Sequence, residues 1–113
     1  MFTTTAHFEG KDPEVRKIYD RLVNEVRKFG RVSEDPKKTS IHLVNKTAFA
    51  GVATRKGALV LTVKSDRAIQ SPRIHKSEQA SAHRYHHQIK LAHRLEIDRE
   101  LLMWLRNAWE LSN

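Results

Sequence analysis

The apolar residues change their spacing twice along this 113-residue chain, and this change restricts the fold more than any other feature. They follow helical spacing between positions 13 and 30, alternate between 41 and 64, and return to helical spacing between 97 and 111. A period near 3.6 predicts an amphipathic helix, and a period of two predicts a strand with one buried face. The sequence therefore predicts an α+β domain with a helix at each end and a sheet between them.

Each predicted helix carries one continuous apolar stripe. Asp12 and Pro13 form a favourable helix start, because the carboxylate can cap free amides and the proline lacks only an N–H that would be unpaired anyway. Gly30 is expected to end this helix as a left-handed cap. The second helix is expected from about Ile97, and both tryptophans, Trp104 and Trp109, are expected in the core. Since each stripe needs an apolar surface to cover, we expect both helices to pack on one sheet face, which gives two layers.

The sheet is predicted to be antiparallel, with four or five strands. Alternating runs cover residues 41–46, 48–54, 58–64 and 83–91, and a short strand at 31–34 is the fifth. Residues 66–82 show no such alternation and are interpreted as a long irregular segment of the functional or mobile kind. The polar side chains of the alternating runs then form one outward face. They are His42, Lys46, Thr62, Lys64, Arg84, His86, Gln88 and Lys90.

Length and composition indicate one domain, residues 1–113, with a loose N-terminal segment at residues 1–8. The chain has no cysteine, no apolar run long enough for a membrane span and no signal-like start, so we expect a cytoplasmic protein without a membrane partner. No motif implies a cofactor, and the oligomeric state stays open.

The net charge is +8 and is concentrated in the middle of the chain, where residues 30–94 carry thirteen Lys or Arg against four Asp or Glu. A basic surface attracts polyanions, although excess charge also serves solubility. The candidate anion-binding residues lie on the outward sheet face, in the long segment and at one strand entrance. They are Lys38, Thr39, Arg73, Lys76, Arg84 and His86. The outward face has no aromatic residues on which bases could stack, which argues against sequence-specific RNA recognition.

The histidines His83, His86 and His87 have a spacing that binds zinc on a helix. On the predicted strand, the first and last would be about 13 Å apart and His86 would point to the other face, so no metal site is predicted. Inward-facing His87 is interpreted as a core or boundary residue and His86 as the exposed candidate. Catalytic motifs are absent, so we favour a non-enzymatic module that binds nucleic acid or a small phosphorylated or carboxylated ligand. A hydrolase or nuclease-like enzyme using His86 or His87, with or without a metal, and a protein-interaction or regulatory module are the alternatives.

Six short stretches together resemble a bacterial family of small domains of unknown function, some standing alone and some at the C-terminal end of larger proteins. They are 8–13 (FEGKDP), 38–41 (KTSI), 49–52 (FAGV), 72–74 (PRI), 84–87 (RYHH) and 102–109 (LMWLRNAW). The resemblance implies one compact domain over nearly the whole chain, but no reaction or ligand. It directs attention to polar positions already considered: Lys38, Thr39, Arg73, Arg84 and His86 or His87.

Overall fold

The computed structural model describes residues 2–113, which form two α-helices and six β-strands. The helices are α1 at Pro13–Val26 and α2 at Arg99–Leu111, and short 3₁₀ helices lie at Thr5–Phe8 and Arg94–Glu96. The strands are β1 at Ser33–Pro36, β2 at Ile41–Val44, β3 at Ala48–Thr54, β4 at Leu59–Ser65, β5 at Ile74–Ser81 and β6 at Arg84–Leu91. The expected α+β class is confirmed.

The strands form one antiparallel sheet in the order β1-β2-β3-β4-β6-β5. The first four strands are neighbours in sequence and in space. The chain then crosses to the far edge, forms β5 and returns as β6 between β5 and β4. Residues separated by a long loop and a strand in sequence therefore become direct neighbours at the β4–β6 pair.

The expectation of four or five strands is wrong, because the sheet has six. The additional strand is β5, which lies within the segment interpreted as irregular. Apart from Ile74 at its start, its residues are exposed, so the strand has no buried face and no alternating pattern. Its register also shifts near both ends, which is typical of protected edge strands.

The core joins both helices to the inward-facing residues of the sheet. In β4, Leu59, Leu61 and Val63 are buried, and in β6 the buried residues are His87, Ile89 and Leu91. The buried apolar residues of α1, α2, β2, β3, β4 and β6 form one cluster, and Trp104 and Trp109 pack against it while half-buried. The alternation that predicted β4 and β6 thus separates core residues from polar ones.

The helix ends differ from the sequence-based expectation in two places. Asp12 precedes α1, but its side chain caps no amide, and its carboxylate lies 3.9 Å from Nζ of Lys56. Gly30 does not end the helix, since α1 finishes at Val26. Gly30 has a φ of +150° and lies under the indole of Trp109, whose Nε1 donates a 2.9 Å hydrogen bond to the carbonyl of Arg31. The glycine is needed there because the ring occupies the space of a side chain.

The N-terminal segment contacts the rest of the domain through His7 and Phe8. Thr54 donates a 2.7 Å hydrogen bond to the carbonyl of His7, and the ring of Phe8 lies 5.1 Å from that of Tyr19. Neither this segment nor any other part of residues 2–113 contains a helix with the length and apolar character needed to cross a membrane.

Candidate anion-binding site

A row of partly exposed residues crosses the centre of the sheet. The strand register places His42 opposite Gly51, Gly51 opposite Thr62, and Thr62 opposite Gln88. The next pair on the same face of β4 and β6 is Lys64 directly opposite His86. Directly opposite residues point to the same side of a sheet, with Cβ atoms about 5 Å apart. We call this surface the polar sheet face; it comprises His42, Gly51, Thr62, Lys64, His86 and Gln88.

A cleft of about 350 Å³ lies on the polar sheet face. The cleft is deepest at Gly51, because this residue has no side chain to fill the space between His42 and Thr62. A Cβ at Gly51 would lie 4.0 Å from the nearest side-chain atom of each of them. The remaining lining residues are small or contribute polar side chains. They are Ser40, Ala48, Ala50, Val52, Ala53, Lys64 and His86.

A second depression, of about 280 Å³, adjoins the cleft and shares Lys64 and His86 with it. Its other lining residues include Arg84, Ser81 and Ser112. Lys64, Arg84 and His86 therefore form one group at the boundary of two depressions, which we call the basic cluster. This volume and lining suit a small anion or a segment of a larger one.

The charges of the basic cluster are not neutralised within the described part of the chain. Among residues 2–113, no carboxylate oxygen lies within 4 Å of a side-chain nitrogen of the cluster. Glu78 is opposite His86 on β5, but it forms no ion pair within residues 2–113. Asp66 is bonded to Arg67, which lowers the pKa of the Asp66 carboxyl most, and Arg84 lowers it further. The cluster is thus a net positive patch.

Three of the predicted site residues lie away from this cluster. Lys38 and Thr39 are exposed in the turn between β1 and β2, where Lys38 lines a shallow depression with Phe2 and His7. Lys76 is exposed on β5 opposite Gln88, beyond both depressions. Arg73 is also elsewhere, bonded to Asp98 and Glu100, so the structure brings together only Arg84 and His86 of the six predicted residues.

The guanidinium of Arg73 forms hydrogen bonds with residues at the start of α2 and just before it. It donates to Asp98 at 2.8 Å, to Glu100 at 3.2 Å and to the carbonyl of Glu96 at 2.6 Å. Burial alone would lower the pKa of Arg73, but the hydrogen bonds to Asp98 and Glu100 hold that pKa above its usual value. Arg73 therefore ties the start of β5 to the start of α2.

His87 is 1% exposed, and both of its ring nitrogens are bonded. Nε2 lies 3.2 Å from the carbonyl of Arg67, and Nδ1 lies 2.8 Å from the hydroxyl of Ser77. Because a carbonyl only accepts, Nε2 carries the proton and Nδ1 accepts from Ser77. This arrangement agrees with the interpretation of His87 as an inward-facing boundary residue.

Lys64 is the site residue that the sequence did not single out. The alternation indicates that Lys64 is on the outward face, but its neighbour His86 is far away in sequence, so the pattern does not connect the two residues. Only the register of β4 with β6 connects the two residues, and β5 comes between these strands along the chain. Within residues 2–113, no group of three or more His, Asp or Glu is arranged to hold a metal ion.

Comparison with protein families gives a match over nearly the whole chain. The family described as Domain of unknown function (DUF5655) matches residues 4–112, which is nearly the whole chain. No curated protein and no solved structure matches this chain. The match confirms the resemblance to a family of domains of unknown function that the short motifs indicated.

Proposed function

The chain belongs to the family described as Domain of unknown function (DUF5655), and from this premise we propose that it is a non-enzymatic binding module for an anionic partner. The partner is a nucleic acid or a small phosphorylated or carboxylated ligand. The basic cluster, Lys64, Arg84 and His86, makes the principal contacts, and the adjoining cleft holds the body of the ligand.

The carrying observation is the direct pairing of Lys64 with His86 at the boundary of two depressions. Two cationic groups placed directly opposite each other repel when the imidazole is protonated. An anion between them would offset the repulsion and accept hydrogen bonds from both side chains. Arg84 adds a planar fork of donors suited to phosphate or carboxylate.

The proposed site needs the polar sheet face to be accessible, and we propose that both helices cover the other face. The single core supports this arrangement, because it joins the buried residues of α1 and α2 to the inward-facing residues of the sheet. The partly exposed row through Thr62 then remains for a ligand. Since no Phe, Tyr or Trp side chain lines either depression, recognition rests mainly on charge and shape rather than on base stacking.

Amide shift mapping by NMR tests the location. The labelled domain is titrated with a short single-stranded DNA and, separately, with pyrophosphate. We expect saturable shifts at Gly51, Thr62, Lys64 and His86. Shifts confined to the turn at Lys38, or no saturable shifts with either ligand, would exclude the proposed site.

A hydrolase is the second candidate, and the contact between Ser77 and His87 favours it. The serine is exposed, its hydroxyl donates to Nδ1 of His87, and the carbonyl of Arg67 orients the ring. This is the arrangement of a nucleophile, a base and an orienting acceptor. Turnover of p-nitrophenyl acetate or bis(p-nitrophenyl) phosphate that disappears in Ser77→Ala would support a hydrolase. Absence of turnover in the unchanged protein removes this candidate.

A further inference from the structure

A groove of about 490 Å³ lies between α1 and α2 and shares no residue with the polar sheet face. Phe29 and Leu102 are half-buried in it and pack against the core, and Met103 on its rim is 58% exposed. An exposed methionine beside other apolar side chains is a feature of adaptable binding surfaces. The complete lining is Arg21, Glu25, Phe29, Ile97, Asp98, Arg99, Leu102, Met103 and Arg106.

Arg21 in this groove has an incomplete set of partners. One of its Nη atoms donates to the carbonyl of Ile97 at 3.3 Å. Its Nε is the only buried side-chain nitrogen or oxygen within residues 2–113 that has no hydrogen-bond partner. Buried donors are nearly always satisfied, and an unsatisfied donor costs free energy. The guanidinium therefore has unused capacity to bind an acceptor.

The acidic residues of the groove do not supply that acceptor. The carboxylate of Asp98 is bonded to Arg73 and to the amide of Leu101, and Glu25 is paired with Lys28 at 3.2 Å. Within residues 2–113, neither Arg21 nor exposed Arg99 lies within 4 Å of a carboxylate oxygen. The groove thus combines an apolar floor with two cations that lack counter-ions.

We infer that this groove binds a small amphiphilic carboxylate. The carboxylate group pairs with Arg21 and Arg99, and drawing the Arg21 guanidinium towards the groove also gives its Nε a partner. The apolar body lies on Phe29, Leu102 and Met103. The volume falls within the range of about 300–1,000 Å³ that is typical of small-molecule sites. The inference does not depend on the anion site, since the two surfaces have no residue in common.

Methionine labelling gives a direct readout, because the chain contains two methionines, one at position 1 and the other Met103, which lines the groove. The protein carries [methyl-¹³C]methionine, and Met103→Leu assigns the signal. Decanoate is added below its micelle concentration, with 1-octanol and octyltrimethylammonium as neutral and cationic comparisons. We expect a saturable shift of the Met103 methyl signal with decanoate and a much weaker response to the other two compounds.

Charge removal tests the role of the cations. Arg21→Gln should weaken decanoate binding about tenfold, as expected for loss of a hydrogen-bonded charge. Arg99→Gln should also weaken binding. Because Arg99 is exposed, this variant should fold even if Arg21→Gln does not. Lys17→Gln, on an exposed part of α1, should bind decanoate as the unchanged protein does. No saturable shift, an equal response to the cationic compound, or unchanged affinity in both arginine variants would overturn the inference.

Discussion

The indole of Trp109 lies over Gly30 so closely that a Cβ at residue 30 would be 2.6 Å from its Cζ2 atom. Gly30→Ala must therefore displace the ring and strain a backbone with a φ of +150°. We expect a loss of about 1–3 kcal/mol in the free energy of unfolding, measured by urea denaturation. Gly10→Ala is the matched control, because Gly10 also has a positive φ, of +73°, but has nothing within 4 Å of a Cβ. Equal losses in both variants would contradict the role of Trp109.

Arg73 should matter for stability and not for anion binding. Arg73→Gln removes donors to two carboxylates and to the carbonyl of Glu96, so we expect a loss of about 1–3 kcal/mol in the free energy of unfolding. DNA affinity, measured by fluorescence anisotropy on the folded variant, should change less than that of Arg84→Gln. A larger loss of affinity in Arg73→Gln would place the anion site at β5 instead.

Asp98 should make part of the stability dependent on pH. The amide of Leu101, together with Arg73, lowers the pKa of the Asp98 carboxyl. A lowered pKa in the folded state stabilises above the unfolded value of about 3.9, and this contribution disappears as the pH falls through the folded value. Asp98→Asn should therefore cost about 0.5 kcal/mol near neutral pH and much less at pH 2, as measured by urea denaturation. Glu9→Gln, at an exposed residue that forms no ion pair within residues 2–113, should show no such dependence. A cost for Asp98→Asn that is unchanged at pH 2 would exclude this origin.

The tautomer of His87 follows from its two partners. A carbonyl accepts at Nε2, so the neutral ring should carry its proton there and leave Nδ1 to accept from Ser77. The ¹⁵N shifts of the ring in a long-range correlation spectrum distinguish the tautomers. Ser77→Ala should keep the tautomer, because the carbonyl of Arg67 remains. Protonation at Nδ1 in the unchanged protein would show that the hydrogen-bond directions are wrong.

The sequence predicted the elements whose residues share one buried face. The stripes of α1 and α2 and the alternation in β4 and β6 identified both helices and the inward position of His87. The edge strand β5 was missed because exposure of nearly all its side chains leaves no pattern of burial. Strand prediction from alternation depends on one buried face, and this strand has none.

The candidate site was only partly predictable for a related reason. Arg84 and His86 are predictable because they alternate with buried residues in one strand. Lys64 is not, since its relation to His86 exists only in the register between two distant segments. Arg73 appeared to be a free cation in the sequence, whereas its acidic partners Asp98 and Glu100 are supplied by the start of α2. Charge counts along a chain do not reveal which charges become paired.

The most direct test of the anion-binding account is the salt dependence of binding to single-stranded DNA. Lys64→Gln combined with Arg84→Gln removes two charges from the basic cluster. Lys17→Gln combined with Arg31→Gln removes two exposed charges elsewhere. For single strands, each lost phosphate contact reduces the slope of log K against log salt by about 0.7. The account predicts a reduction of about 1.4 in the first variant and an unchanged slope in the second. Equal slopes in both variants, or no binding by the unchanged protein at low salt, would contradict it.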